Sequence, residues 1–334
     1  VLVGRATVVP IRKLSDDEYL EQFESRDYVL TIKGVKALVI QVQLSQGVEM
    51  ITLIDGRWDA VVRLRDRDYA SWFEINSDGG LSGRYVGIEG SARPMAEVRF
   101  EGNELYFSLP PQYEKREGDL IFRGTLVDGK IKGTTNDDDG NWVEFSAVPA
   151  PKLNYREVEW GAPINLIRED LSNWGQRFSD DPSGWKVENG VISNTPPSVD
   201  LVTKDRYADF KLHAEWRVPE KGNSGIYLRG RYEVQILDDH DREPGDRSTG
   251  SIYGYLKPSK KMTKPVGEWN SFDIAFIGRW VTIVFNGETI IDMQEIPGLT
   301  GGALDSDEGD PGPIMLQGDH RAVEYRNLVL VPAV

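Results

Sequence analysis

Residues 223–238, Asn-Ser-Gly-Ile-Tyr-Leu-Arg-Gly-Arg-Tyr-Glu-Val-Gln-Ile-Leu-Asp, alternate apolar and polar side chains on both sides of a glycine-containing turn. Successive side chains of a strand point to opposite faces. Ile226 and Leu228 therefore share one face, and Tyr227 and Arg229 the other. After the turn, Val234 and Ile236 look toward a core while Glu233 and Gln235 look away from it. The segment reads as two neighbouring strands, each burying one face. A solvated sheet face would also be polar. Tyr, Arg, Glu and Gln, however, are aromatic, bidentate and amide groups suited to sugar hydroxyls, whereas a generic surface would mix Lys, Glu and Thr.

Outward from this hairpin the chain continues as short strands. Candidates in the second half are 185–193, 200–203, 210–218, 269–277, 280–285, 288–295, 313–317 and 323–331, with Asn286-Gly287 as a strong hairpin turn. In the first half they are 37–44, 49–54, 60–64, 71–75, 96–100, 104–109, 120–126 and 142–147, separated by turns such as Asp55-Gly56, Asp128-Gly129 and Asp139-Gly140. Ser15 with Glu18 three residues on marks one early helix, near 15–25. The proline-containing stretch 147–155 reads as a linker. The expected fold is all-β: a β-rich domain at 1–150, barrel or sandwich, then an antiparallel sandwich at 156–334.

Composition agrees, with 34 Gly and 18 Pro among 334 residues, enough for many turns. The net charge is −15 and both halves are acidic, so nucleic acid and anionic membrane are poor partners. No apolar run approaches the roughly 20 residues that span a bilayer. With no cysteine, disulfides, thiolate nucleophiles and thiolate metal sites are excluded. The chain opens on Val1 rather than Met, which fits removal of an N-terminal segment.

The pattern Glu233-x-Gln235-x-x-Asp238 invites comparison with retaining glycosidases, whose two carboxyl groups stand about 5 Å apart. Five steps of regular strand separate two residues by roughly 16 Å and turn them to opposite faces. Only a bulge would bring Glu233 and Asp238 together. All three histidines lie in the second half. His213 reads as structural or surface, and His240 as part of a solvated acidic loop. His320 follows Gln317-Gly318-Asp319 directly after a strand, where Asp319 can orient the imidazole as a general base or a metal ligand. Tyr253 can close a site from its loop. The glycine-rich acidic segment 301–312 reads as a mobile lid.

From about Ala162 to the C-terminus the chain resembles the 3-keto-disaccharide hydrolase family, formerly a domain of unknown function with a concanavalin-like jelly roll. The resemblance rests on ordered blocks: Asp170–Trp174, Trp185–Gly190, Glu215-Trp216-Arg217, Asn223–Gly230, Tyr232–Asp238, Gly250–Gly254, Gly267–Asn270, Leu316–His320 and Tyr325-Arg326-Asn327. Two departures stand near His320. Gly318 is extra relative to the usual Gln-Asp-His-Gly, and Arg321 stands where glycine is common. The resemblance implies a concanavalin/laminin-G-like jelly roll that cleaves glycosides already oxidised to a ketone at C3. Glu233 and His320 then serve as acid and base, or as ligands of a divalent metal. Tyr227, Arg229, Gln235, Tyr253 and Gln317 bind the oligosaccharide or glycoside. A periplasmic or cell-surface location in a bacterium follows from the company such domains keep. Rival expectations are a non-catalytic carbohydrate-binding module and an ordinary jelly-roll glycosidase. The first half has no histidine and reads as an accessory domain, lipocalin-like or sandwich.

Overall fold

In the computed structural model, which describes residues 28–32, 35–40, 54–65, 67–178 and 181–334, every regular element is a strand. The fold is all-β, as the turn-rich sequence requires. The helix expected near 15–25, and parts of the strands expected at 37–44 and 49–54, lie outside the described residues. Tyr28–Ile32 and Val35–Ile40 pair as an antiparallel hairpin in a unit of its own, residues 1–50; residues 51–334 form a second unit.

Nine strands from Gly56–Leu64 to Trp142–Pro149 form one antiparallel sheet. Nearly every strand pairs with the one before it in sequence, and the last pairs back onto the first, Phe145 opposite Val62. The single break in this ring falls between Arg93–Pro94 and Glu97–Glu101, which are consecutive in the chain. The sheet is therefore an up-and-down barrel with one open seam. Its interior is filled at one end by aromatic rings, including Phe107 stacked on Phe122 at 4.4 Å. Gly124 and Gly133 face each other across two strands. A Cβ on Gly133 would fall 1.9 Å from the Arg123 carbonyl oxygen, so this crossing admits only glycine. The other end of the barrel encloses a cavity of about 880 Å³.

The second half is a sandwich. Its larger sheet runs Trp185–Glu188, Val191–Asn194, Val323–Pro332, Phe210–Arg217, Asn270–Ile277, Trp280–Phe285, Glu288–Glu295. The smaller runs Trp174–Gln176, Leu201–Thr203, Met315–Leu316, Asn223–Leu228, Tyr232–Leu237. Alternation decides what faces inward: Phe210, Leu212, Ala214 and Trp216 are buried, while Lys211, His213 and Glu215 point away from the core. His213 bonds Asp273 at 2.7 Å on that outer face.

Barrel and sandwich share a core. Ala70, Trp72 and Val86 project from the outer face of the barrel into the sandwich's hydrophobic cluster. Trp72 is fully buried, meets the Tyr255 ring edge-on at 6.1 Å, and lies so close to Gly298 that a Cβ there would sit 2.4 Å from the indole. Removing a side chain of this size from a packed core costs about 3–5 kcal/mol. The stretch 147–155 is extended but clamped, with Ala150 N–H donating to Arg57 O and Arg279 N–H to Leu153 O.

Polar groups line the same junction. Arg57 donates to the Glu308 carboxylate at 2.6 Å and, through Nε, to Pro297 O. Beside them Asp59 is 4% exposed, and its Oδ1 has no hydrogen-bond partner. Burial, and then the neighbouring Glu308, hold the Asp59 carboxyl well above the usual carboxylate range. The folded protein keeps this proton at pH values where the unfolded chain has released it, so stability declines as pH rises through that window. Asp59→Asn should flatten this decline. Thermal melts at about pH 6 and about pH 9 should show a smaller difference in Tm for the variant than for the wild type.

Candidate active site

The hairpin Asn223–Leu228/Tyr232–Leu237 pairs in regular register, with Tyr227 opposite Glu233, Gly225 opposite Gln235 and Ile226 opposite Val234. Ile226, Leu228, Val234 and Ile236 enter the sandwich core, and Tyr227, Glu233 and Gln235 occupy the opposite face. That face is not solvated. Tyr227, Glu233 and Gln235 are 2%, 3% and 5% exposed. Neighbouring segments widen the row. Residues 251–253 dock on the outer side, with Tyr253 N–H donating to Glu233 O, and Met315–Leu316 docks on the inner side, with Gln317 N–H donating to Gly225 O. Asp200 follows next, its Oδ1 accepting from Gly318 N–H.

Gly225 is the seat of the Glu233 side chain. A Cβ at 225 would lie 2.4 Å from Glu233 Oε1. Burial pushes the Glu233 carboxyl up to about 8, even though the Tyr227 hydroxyl and His320 both favour the anion. Tyr227 donates to Gly301 O at 2.9 Å. His320 is the exposed partner at the rim. Its Nδ1 is hydrogen-bonded to Asp319 Oδ1, and this bond, working against partial burial, raises the imidazole above its ordinary value. In Asp319 the effect of burial is outweighed by His320, and its carboxyl is lowered. Asp200 is raised by its burial and then by Asp319.

The arrangement gathers Glu233, His320, Tyr227, Gln235, Tyr253 and Gln317. Gln317 presents a buried Oε1 without a hydrogen-bond partner, a free acceptor for a ligand hydroxyl. Gln235 turns its own Oε1 to Ile236 N–H at 2.9 Å. Arg229 does not join the group. It sits in the turn with φ 52°, where the strand alternation no longer applies, and is 3% exposed. Its guanidinium donates to Glu308 O and Gly278 O and lies 4.6 Å from the Phe276 ring centre, so it supports the core. The segment 301–312 is no lid. Gly302 N–H donates to Ile88 O, Leu304 N–H to Gly230 O, and Glu308 is fully buried. Its packing against the barrel makes it a strut.

Three residues had no signal in the sequence. Arg177 donates to Asp200 Oδ2, Gly302 O and Ala303 O, tying the His320 loop to the strut. Asp200 completes that tie. Tyr113 comes from the barrel and lies beside Tyr253. All three meet the site through distant chain segments, which no local spacing reveals.

Asp238 takes a different course. No bulge interrupts the strand between Glu233 and Leu237. Asp238 accepts from Lys221 N–H and pairs with His240 at 3.3 Å, outside the row. Glu233 and Asp238 therefore do not form the close carboxylate pair of a retaining glycosidase. Among the described residues no three His, Asp or Glu side chains converge as a metal site. Glu233 and His320 offer two donors, one kept protonated and the other engaged at Nδ1, short of the three or more that hold a resident ion.

The fold defines the class, an all-β chain whose second half is a jelly-roll sandwich. Residues 163–331 match the model of the 3-keto-alpha-glucoside-1,2-lyase-like domain, half of the chain, and the chain belongs to that family. It is 25% identical over 149 residues to a 3-keto-disaccharide hydrolase of Bacteroides thetaiotaomicron, covering 34% of this chain and 51% of that one. It is 23% identical over 219 residues to one component of an NAD(P)H-quinone oxidoreductase of Gloeobacter violaceus, covering 61% of this chain and 53% of that one. The chain thus spans about half the length of the curated relatives it matches. A solved protein of Parabacteroides distasonis, assigned provisionally to the glycosyl hydrolases, shares 29% identity with a TM-score of 0.44, covering 54% of this chain and 92% of that one.

The seat at Gly225 is directly testable. Gly225→Ala should displace the Glu233 carboxyl and cost about 1–3 kcal/mol of stability through overpacking. Its far-ultraviolet circular dichroism should match the wild type while any turnover attributable to Glu233 falls by at least an order of magnitude. Wild-type turnover in a folded Gly225→Ala protein would remove Glu233 from the chemistry.

Proposed function

We propose that this protein cleaves glycosides carrying a ketone at C3, by elimination across C1–C2 followed by addition of water. The observation that carries this reading is the pairing of a buried carboxyl, kept protonated up to about 8, with an imidazole oriented by Asp319. The 3-ketone acidifies the C2 proton. His320, deprotonated at Nε2, removes it, and the electron pair becomes the enolate. The C1–O bond then breaks, and Glu233 hands its proton to the departing oxygen. Water adds at C1 of the unsaturated ketone and a proton returns to C2, giving the free 3-keto sugar and the released alcohol. The Gln317 amide and the Tyr253 hydroxyl bind sugar hydroxyls, and Tyr227 steadies Glu233 after it has given up its proton.

Elimination needs one base and one acid rather than two carboxylates about 5 Å apart, and His320 and Glu233 supply that pair. Activity should follow a bell with pH. It rises as His320 loses its proton, above the ordinary histidine value, and falls as Glu233 loses its own near about 8.

The decisive assay compares a methyl and a 4-nitrophenyl 3-keto-glucoside with their unoxidised parents, each with and without a chelator. Only the keto forms should turn over, and chelation should leave the rate unchanged. His320→Ala should lose about 10²–10⁴ in turnover on both keto substrates. Glu233→Gln should lose comparably on the methyl glycoside but far less on the nitrophenyl one, whose leaving group needs no proton. Hydrolysis of the unoxidised parents would overturn the proposal, as would equal loss in Glu233→Gln on both leaving groups.

A further inference from the structure

We infer that the cavity at the open end of the barrel is a second binding pocket, which holds the alcohol half of the glycoside when that half is aromatic. This rests on the proposed reaction at Glu233 and His320. It assigns to the first half of the chain the choice of leaving group.

The cavity measures about 880 Å³, at the upper end of the ~300–1,000 Å³ typical of small-molecule pockets. Val62, Leu64, Tyr69, Tyr85, Leu120 and Phe122 make the apolar and aromatic part of its wall. Several of the charged groups that line it have partners. Glu114 is paired with Arg93 at 2.5 Å, Asp137 accepts from Asp139 N–H and Asn141 N–H, and Asp138 accepts from Lys115 N–H. Arg67 lies 4.3 Å from the Phe178 ring centre. Arg65, Glu89, Lys115 and Asp139 line the cavity as well. One polar atom of the wall is unsatisfied: Thr135, 3% exposed, has no hydrogen-bond partner for its Oγ1. A buried hydroxyl without a partner costs about 1–3 kcal/mol, and a hydroxyl or carbonyl on a flat guest would satisfy it. Aromatic rings beside an unsatisfied hydroxyl favour a planar aromatic alcohol.

The mouth of the cavity opens beside the candidate active site. Tyr113 lines the cavity and lies beside Tyr253. Ile88 lines it too, and its carbonyl accepts from Gly302 N–H, one residue beyond the Gly301 carbonyl that holds Tyr227. On the facing side Phe178 is covered by Arg67 of the cavity and by Arg177, the anchor of Asp200. A glycoside with its sugar ring at Glu233 would direct the group on C1 past Tyr113 and Tyr253 into the barrel.

Calorimetric titration of the full chain with 2-naphthol tests the pocket without turnover. One saturable site is expected, weakened at least ten-fold in Leu64→Trp, which fills the cavity, and several-fold in Thr135→Val, which keeps its volume. In parallel, kcat/KM for a 2-naphthyl 3-keto-glucoside should fall in Leu64→Trp at least ten-fold more than for the methyl one. Absence of saturable naphthol binding overturns the inference, as does binding indifferent to both substitutions. Equal losses on the two glycosides overturn it as well. Naphthol binding that responds to the variants, with no turnover of any keto-glycoside, upholds the pocket and brings down the proposed reaction instead.

Discussion

A carboxyl group held out of water over a glycine is the constraint on which the rest of the site depends. Gly225 leaves open, on the sheet face it shares with Glu233, the space that any side chain there would take from the carboxyl. Once seated, Glu233 is enclosed by Tyr227, Tyr253 and the strut 301–303, and its charged form becomes expensive. The enclosure needs fixed walls. Arg177 supplies them by gripping Asp200, Gly302 and Ala303 together, so the loop carrying His320 and the wall behind Tyr227 share one anchor. The site's protonation thus follows from sheet register and a single guanidinium.

The barrel belongs to this enclosure. The Trp72 indole packs on Gly298, just ahead of the strut, and the Ile88 carbonyl pins Gly302 from the barrel loop. The Arg57–Glu308 ion pair at the same junction, with the protonated Asp59 beside it, favours one docking arrangement over others at some cost in desolvation. The barrel and the jelly roll are therefore two sheets' worth of walls around one polar chamber.

Much of this was legible in residues 223–238 alone. Period-two alternation places Tyr227, Glu233 and Gln235 on one face regardless of what lies elsewhere, because strand geometry is local. The turn chemistry of Asp128-Gly129 and Asn286-Gly287 announces hairpins for the same reason. Arg229 escaped that logic: with φ 52° it has left the strand, and its side chain turns into the core. Burial of the polar face was also invisible, since the covering groups come from segments around 113, 177, 253 and 301. The strut 301–312 has the glycine and acid content of a solvent loop. What makes it rigid is Arg231 donating to Asp305 and Arg57 to Glu308, pairings that span more than seventy residues.

The contribution of Tyr113 has a consequence for how such proteins diversify. The family domain begins, in sequence, only after the barrel has closed, yet one wall of its chamber is made by the barrel. A jelly roll inherited or transplanted without its barrel would expose the seat of Trp72 and leave Tyr253 without its neighbour. Recombination at the extended stretch 147–155 would therefore break a working unit, and the two halves should drift together, with changes around Tyr113 and Ile88 answered by changes around Tyr253 and Gly302.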